Sequence, residues 1–170
     1  MGIPTLGALR EAVDSLKELN MHRKVQLIVS GGIRSGADVA KAMAMGADAV
    51  SIGSAAMIAL NCNADMYPED YEKLGTAAGY CHHCHTGKCP VGVATQDPEL
   101  EKRLEPELAG KRVKNYLATL TLELQTLARA NGKSDVRNLE PEDLAALTVE
   151  AAAMARVPLA GTNWIPGHEL

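Results

Sequence analysis

The hydrophobic positions of this chain change period several times, and each change marks an element. Leu6, Leu9, Val13, Leu16 and Leu19 recur at three- and four-residue intervals, which predicts an amphipathic helix over Thr5–Leu19. Asn20–Lys24 is a polar connection. Val25–Val29, mostly apolar and β-branched, has the length of a buried strand. Ser30-Gly31-Gly32 breaks it. Ser35 then stands as an N-cap with Asp38 in capping-box spacing. Val39, Ala42 and Met43 return to helical spacing, and Gly46 closes that helix as a left-handed stop. A second apolar strand, Ala49–Ile52, ends at Gly53-Ser54 and runs into the helical stretch Ala55–Leu60.

Beyond Leu60 the pattern loosens. Glu69–Leu74 reads as a short helix before the Gly75–Gly79 breakers. Asp97-Pro98 is an N-cap followed by Pro at the first helical position. Pro106–Ala130 carries Val113, Leu117, Leu120, Leu124 and Leu127 on one face and stops at Gly132. Leu139–Leu144 starts another helix with acidic residues in its first turn. Thr148–Arg156 is an Ala-rich helix ended by Val157-Pro158. The tail is irregular, with Trp164 as its anchor.

The segment 25–54 is thus a βαβ unit with a glycine turn at the carboxyl end of each strand. Paired glycines permit a positive φ and let a ligand approach bare backbone. A helix N-terminus offers N–H donors and a positive dipole end to a phosphate, and Arg34 adds a forked cation. In a (β/α)8 barrel, phosphate binds at the loops after strands 7 and 8. The plainer alternative is two tight turns and a solvated arginine.

Cys81-x2-Cys84-x4-Cys89-Pro, with Cys62 upstream, gathers all four cysteines of the chain, with His82, His83 and His85 among them. Thiolates converging on a tight loop suit an iron–sulfur cluster. A zinc site of four cysteines, or of three cysteines and a histidine, is the rival. Paired disulfides are a third reading, disfavoured by three cysteines packed into so short a loop. Each histidine alone reads as a loop residue or a hydrogen-bond partner of the site.

The chain's 170 residues suffice for one domain with its own core, and 46% hydrophobic content is that of a globular protein. With no Phe and 3% aromatics, the core is one of Ala, Leu, Val and Met. A net charge of −4 without a basic tract gives no sign of nucleic-acid binding. No apolar run is long enough for a membrane span. The start GIPTLGALREAV has neither a charged n-region nor an apolar h-region, so no signal peptide is read and a cytoplasmic location is expected. A complete barrel needs about 250 residues. Two parallel strands alone leave both edges unpaired. The chain therefore reads as a fragment, or as one polypeptide of a split enzyme; a rearranged, mainly helical domain is the alternative.

SGGIRSGADVAKAMAMGADAVSIGSA resembles the closing segment of flavin-mononucleotide barrels such as the 2-hydroxyacid oxidases and glutamate synthase. By that resemblance Ser30 bonds the ribityl chain. Gly32, Arg34 and Gly53 hold the phosphate, with Ser54 in the adjoining loop; Gly31, in the same turn, counts among the cofactor-binding residues. Ser30 and Ser54, where several hydroxyacid oxidases carry an acidic and a basic residue, favour the glutamate synthase side. CHTGKCPVGVATQDP resembles the glutamate synthase stretch that binds a [3Fe–4S] cluster, which makes Cys62, Cys84 and Cys89 the three ligands. The chain departs from that pattern by an insertion from Asn63 to about Tyr80 and by Cys81, which allows a [4Fe–4S] centre. The insertion is similar to that of archaeal-type and related split synthases.

The expected fold class is α/β: the last two β/α units of a (β/α)8 TIM barrel over residues 1–60, a cysteine-rich iron–sulfur loop over 61–98, and a helical extension over 99–170. The resemblance implies electrons passing from a ferredoxin or an NAD(P)H-oxidising subunit through the cluster to FMN, for reductive amination of 2-oxoglutarate to glutamate. The remaining barrel strands would come from the rest of the enzyme or another subunit. An N-methylglutamate synthase-like enzyme, a zinc-binding interaction module and a non-redox phosphate-binding segment are the alternatives. No catalytic acid or base is assigned to this chain.

Overall fold

The computed structural model describes residues 2–167. Met1 and the end of the tail, 168–170, lie outside the described residues. The chain forms two compact units, one of residues 1–52 and 120–170, the other of 53–119.

The first unit is built on a βαβ core. Helix α1 (Thr5–Glu18) precedes strand β1 (Ile28–Ser30), helix α2 (Gly36–Ala44) and strand β2 (Ala49–Ser51). The strands pair in parallel with Ile28, Val29 and Ser30 opposite Ala49, Val50 and Ser51, so they end level. The strand read from Val25 begins three residues later; Val25 instead forms an isolated bridge with His22 and donates its amide to Met21 O. In β1 only Val29 is buried, and Ile28 is 65% exposed. A buried parallel strand is covered on both faces; here one face lies open.

Helix α2 begins and ends as its sequence predicts. Ser35 Oγ accepts from the Asp38 amide at 3.2 Å, and the Asp38 carboxylate accepts from the Ser35 amide at 3.2 Å, closing the capping box. At the other end the Ala47 amide donates to Ala42 O and the Gly46 amide to Met43 O. This is a Schellman motif, and it places Gly46 at φ +106°. A Cβ there would stand 2.9 Å from Val13 Cγ2, so the glycine also lets α1 pack against the turn.

Helix α6 spans Pro106–Ala130. Leu9 and Val13 of α1, Val39, Ala42 and Ala44 of α2, and Leu124 and Ala128 of α6 form the first unit's apolar core. The stripe on α1 holds except at Leu19, which falls on the C-cap and is 70% exposed. The helix read from Leu139 is instead a single 3-10 turn, Pro141–Asp143. Its acidic first turn is present, but the Asp143 carboxylate folds back to accept from the Glu140 amide, and Leu144 is extended. Helix α7 (Val149–Ala155) is capped by Thr148 and stops at Arg156 in the left-handed region. Arg156 pairs with Asp14 of α1. Trp164 is 41% exposed; its segment is tied by the Leu159 amide donating to Trp164 O and by the Thr162 hydroxyl, which donates to Leu159 O and accepts from the Trp164 amide.

The second unit holds α3 (Ser54–Ala59), α4 (Pro68–Lys73), α5 (Pro98–Glu101) and the first part of α6. Among the described residues no helix is long and apolar enough to cross a membrane. The architecture is mixed α/β, mostly helical, with a small parallel sheet.

Candidate functional site

Two places carry the sequence's candidate chemistry, one in each unit. In the first unit, β1 ends at Ser30 and the chain turns through Gly31 at φ +112° and Gly32 at φ +75°. Buried Ile33 anchors the turn, leaving Gly31, Gly32 and Arg34 exposed. A cavity of about 300 Å³ opens beside the two glycines, lined also by Thr5, Asp38, Lys41 and Met154.

The N-terminus of α2 is filled from within. The Asp38 carboxylate accepts from the Arg34 and Ser35 amides, and the Glu123 carboxylate accepts from the Gly36 amide at 2.7 Å. Anion binding through the first amides of α2 is therefore taken over by the protein's own carboxylates. An outside phosphate would meet the glycine turn and the Arg34 guanidinium instead. Asp38 is held below the ordinary aspartate range: burial alone would raise it, but Lys41, the Arg34 amide and the Ser35 hydroxyl outweigh that. Lys41, 3.0 Å from Asp38, is a structural counter-charge.

Gly53, which precedes α3 in the second unit, has a negative φ of −122°. A Cβ on it would meet nothing within 4 Å. Its ψ of −82° takes it outside the regions that L-residues favour, so the turn into α3 itself suits glycine, and the open space leaves its backbone bare. The first unit offers bare backbone at Gly31 and Gly32, the Ser30 hydroxyl and one guanidinium; the second, by itself, offers bare backbone at Gly53 and the Ser54 hydroxyl. Each is a donor of a kind that a phosphorylated ribityl chain takes.

The four thiols lie in the second unit. Helix α3 ends in a Schellman turn, with the Asn61 amide on Ile58 O and the Cys62 amide on Met57 O. Asn61, not glycine, takes the left-handed position at φ +96°. This turn delivers Cys62. Asn63 follows, again left-handed at φ +63°. Its side chain grips Cys81: Oδ1 accepts from the Cys81 amide at 2.8 Å, and Nδ2 donates to Cys81 O at 3.3 Å. The same Nδ2 lies 3.7 Å from Cys62 Sγ as a donor. Two cysteines far apart in the chain are thereby brought together.

Cys84 opens a 3-10 turn, Cys84–Thr86, closed by left-handed Gly87. Cys89 is buried beside Tyr71 and Val91. Burial, then the neighbouring Cys84, Cys89 and Cys81, pushes the Cys62 thiol up. All four cysteines are unpaired, so the disulfide reading is not the one the structure adopts. Among the described residues no three His, Cys, Asp or Glu side chains close on a single metal ion. An iron–sulfur cluster takes thiolates, and four free thiols within one unit are a donor set of that chemical kind. His82, His83 and His85 stack in a row, centroids 4.6 and 6.2 Å apart.

Sequence reasoning passed over the groups that shape this loop. Tyr71 is 1% exposed, and its hydroxyl donates to Ala64 O at 3.0 Å. Burial first, then Cys81, Cys62, Cys89 and Asp65, push its phenol up to about 12. Arg103 lies over the Tyr67 ring at 4.2 Å and bonds both Asp70 and Pro90 O at 2.7 Å. It fastens the Cys89-Pro90 segment to α4. Gly92 has the close approach that only glycine permits, a Cβ there standing 2.4 Å from Leu100 O. A signal for Tyr71 was present, since an aromatic residue is rare in so aromatic-poor a chain.

A family model for the conserved region in glutamate synthase matches residues 1–134. The chain is 64% identical to a glutamate synthase large subunit-like protein of Rhizobium meliloti, over 98% of this chain and 38% of that one. It is 41% identical to an archaeal glutamate synthase [NADPH] of Methanocaldococcus jannaschii, over 82% of this chain and 24% of that one. At 33% it is similar to a large subunit-like protein of Bacillus subtilis, over 78% of its own length and 22% of that relative. The chain thus spans between about a fifth and two fifths of these curated relatives. On the matched region and these identities together, the chain belongs to the glutamate synthase family.

Proposed function

We propose that this chain is the carboxyl-terminal part of the synthase portion of a glutamate synthase. Residues 1–60 close an FMN-binding (β/α)8 barrel, 61–98 carry an iron–sulfur cluster, and 99–170 form a helical extension. One observation carries the reading: in a member of this family, a parallel strand pair ends level above a glycine turn with Arg34, and four thiols collect in a compact unit.

When bound, the flavin supplies hydride to the imine of 2-oxoglutarate and ammonia, and the cluster supplies electrons one at a time. The chain's own share is binding and orientation. Ser30 bonds the ribityl chain through its hydroxyl. The Gly31–Gly32 turn, Arg34 and Gly53 bind the phosphate, with Ser54 beside Gly53. Cys62, Cys84 and Cys89 ligate the cluster, and Cys81 is the fourth thiolate if it is [4Fe–4S]. The [NADPH] in the name of the Methanocaldococcus relative favours a pyridine nucleotide as ultimate reductant, directly or through another subunit or a ferredoxin. The open face of β1 and β2 is where further strands of the enzyme would pair and cover.

The full-length natural protein, purified without oxygen, tests this. The expected result is released FMN, iron with sulfide, and oxidation of NADPH or reduced ferredoxin that depends on 2-oxoglutarate with ammonia or glutamine. Turnover with methylamine alone would assign the N-methylglutamate reaction instead. Colourless protein carrying stoichiometric zinc overturns the reading.

A further inference from the structure

Asn63 has three structural peculiarities at one residue. Its backbone is left-handed at φ +63°, a conformation Asn tolerates better than other side-chain-bearing residues. Its side-chain amide pairs with both main-chain groups of Cys81, as a neighbouring strand would. Its Nδ2 also donates to the Cys62 sulfur at 3.7 Å. The Gly79 amide donates to Asn63 O at 3.2 Å, so the residue's own carbonyl ties down the approach to Cys81. The Nδ2 group is shared between a carbonyl and a sulfur, which orients it without freedom to turn away.

We propose that Asn63 is the positioning residue of the iron–sulfur centre: it locks Cys81 beside Cys62 and, through its hydrogen bond to the Cys62 sulfur, raises the reduction potential of the cluster. The inference rests on the reading that these thiols ligate such a cluster. Hydrogen bonds to cluster sulfurs stabilise the more negative, reduced state and so set the potential. A donor aimed at a ligand sulfur from the very next residue, and fixed on its far side by Cys81, acts on the cluster and not merely on the fold.

Two variants of the full-length enzyme separate these roles. Asn63→Gly keeps the backbone conformation and removes every side-chain bond. Asn63→Asp keeps the acceptor for the Cys81 amide but loses the donor. The readouts are iron and sulfide content, the paramagnetic resonance spectrum and the midpoint potential from a redox titration, with circular dichroism to confirm folding. Both variants should be harder to reduce, by about three- to tenfold in equilibrium constant, or about 30–60 mV for a one-electron couple. Asn63→Gly should also lose cluster iron or change its resonance spectrum, while Asn63→Asp retains it. If wild type takes up no iron, the underlying reading falls. If wild type holds a cluster and Asn63→Gly, correctly folded, matches it in iron content, spectrum and potential, the role of Asn63 is overturned.

Discussion

In the unit around β1 and β2, three helices and a strand bury an unbroken set of aliphatic side chains, from Leu9 and Val13 to Leu124 and Ala128. In the unit of residues 53–119 the corresponding cluster is Tyr71, Cys89 and Val91 with a fringe of half-buried neighbours. Polar fastenings replace apolar area there: Asn63 on Cys81, Arg103 on Asp70 and Pro90, Asp97 capping α5. The first unit is held by burial that needs no ligand. The second has cysteines where a larger core would be, and a bound cluster would supply cohesion that its side chains do not. In such sites, binding free energy and folding free energy are the same quantity.

The sharpest way to break this contrast is to remove one of the proposed cluster ligands. Cys89→Ser in the full-length enzyme should abolish or degrade the cluster, and chelation of iron should do the same. Hydrogen exchange should then accelerate across 53–119 while the amides of Val39–Met45 keep their protection. Uniform acceleration in both units would show that they do not differ in the way described.

The next largest effect falls on the aliphatic side. A Cβ on Gly36 would stand 2.4 Å from Leu120 O and 2.6 Å from the Leu124 amide nitrogen, both backbone atoms that cannot swing aside. Gly36→Ala should cost about 3 kcal/mol, the upper end of overpacking penalties. Gly110, in helix α6 with nothing within 4 Å of its Cβ position, should respond oppositely. Gly110→Ala should stabilise by about 1 kcal/mol through helix propensity. Thermal unfolding of the two variants checks both signs.

The same contrast explains which parts of the fold were legible from residues alone. The βαβ unit declared itself because the ends of α2 and the turn after β1 are set by local chemistry: the Ser35–Asp38 box, the Gly46 stop, the paired glycines; the start of β1, which no local signal marks, came three residues later than read. The cysteine motif was legible as a donor set. Its supports were not. Asn61 and Asn63 adopt conformations usually signalled by glycine. Arg103 reaches Asp70 and Pro90 across a separation in sequence that no periodicity reveals. Glu123 caps α2 from far down the chain, which turned an expected open helix end into a filled one. At Leu139–Leu144 the apolar and acidic spacing suited a helix. The Asp143 carboxylate instead closed a single turn on itself, and Pro158 O accepted from the Ala146 amide in place of a helical partner.

Because α2 is capped from within, the phosphate reading concentrates on few donors, and Arg34 becomes the test of it. Arg34→Ala in the full-length enzyme should weaken FMN binding by about 1.5–3 kcal/mol, the scale of a hydrogen bond to a charged group. Fluorescence titration of the apo-enzyme with FMN measures it. Riboflavin, which lacks the phosphate, should bind wild type and variant alike. An equal loss for both flavins would mean that Arg34 acts on the fold and not on the anion.

The smallest effect is electrostatic and bears on the cap itself. The Asp38 carboxylate accepts from two amides and the Ser35 hydroxyl and pairs with Lys41. Its pKa in the folded state is depressed, with burial opposing and these partners prevailing. A depressed native pKa means that the unfolded chain binds the proton first as pH falls. The stabilisation is therefore fully present above the ordinary aspartate value of about 4, and it drains away as pH drops through the lowered native value. Asp38→Asn should cost about 1 kcal/mol at neutral pH, as for loss of a helix cap. That deficit should shrink in the acid range, because the wild-type carboxyl becomes as neutral as the amide that replaces it. Denaturant midpoints across the acid limb measure the difference directly. Two stability curves that stay parallel throughout that range would mean that the box works by shape alone and that charge contributes nothing to it.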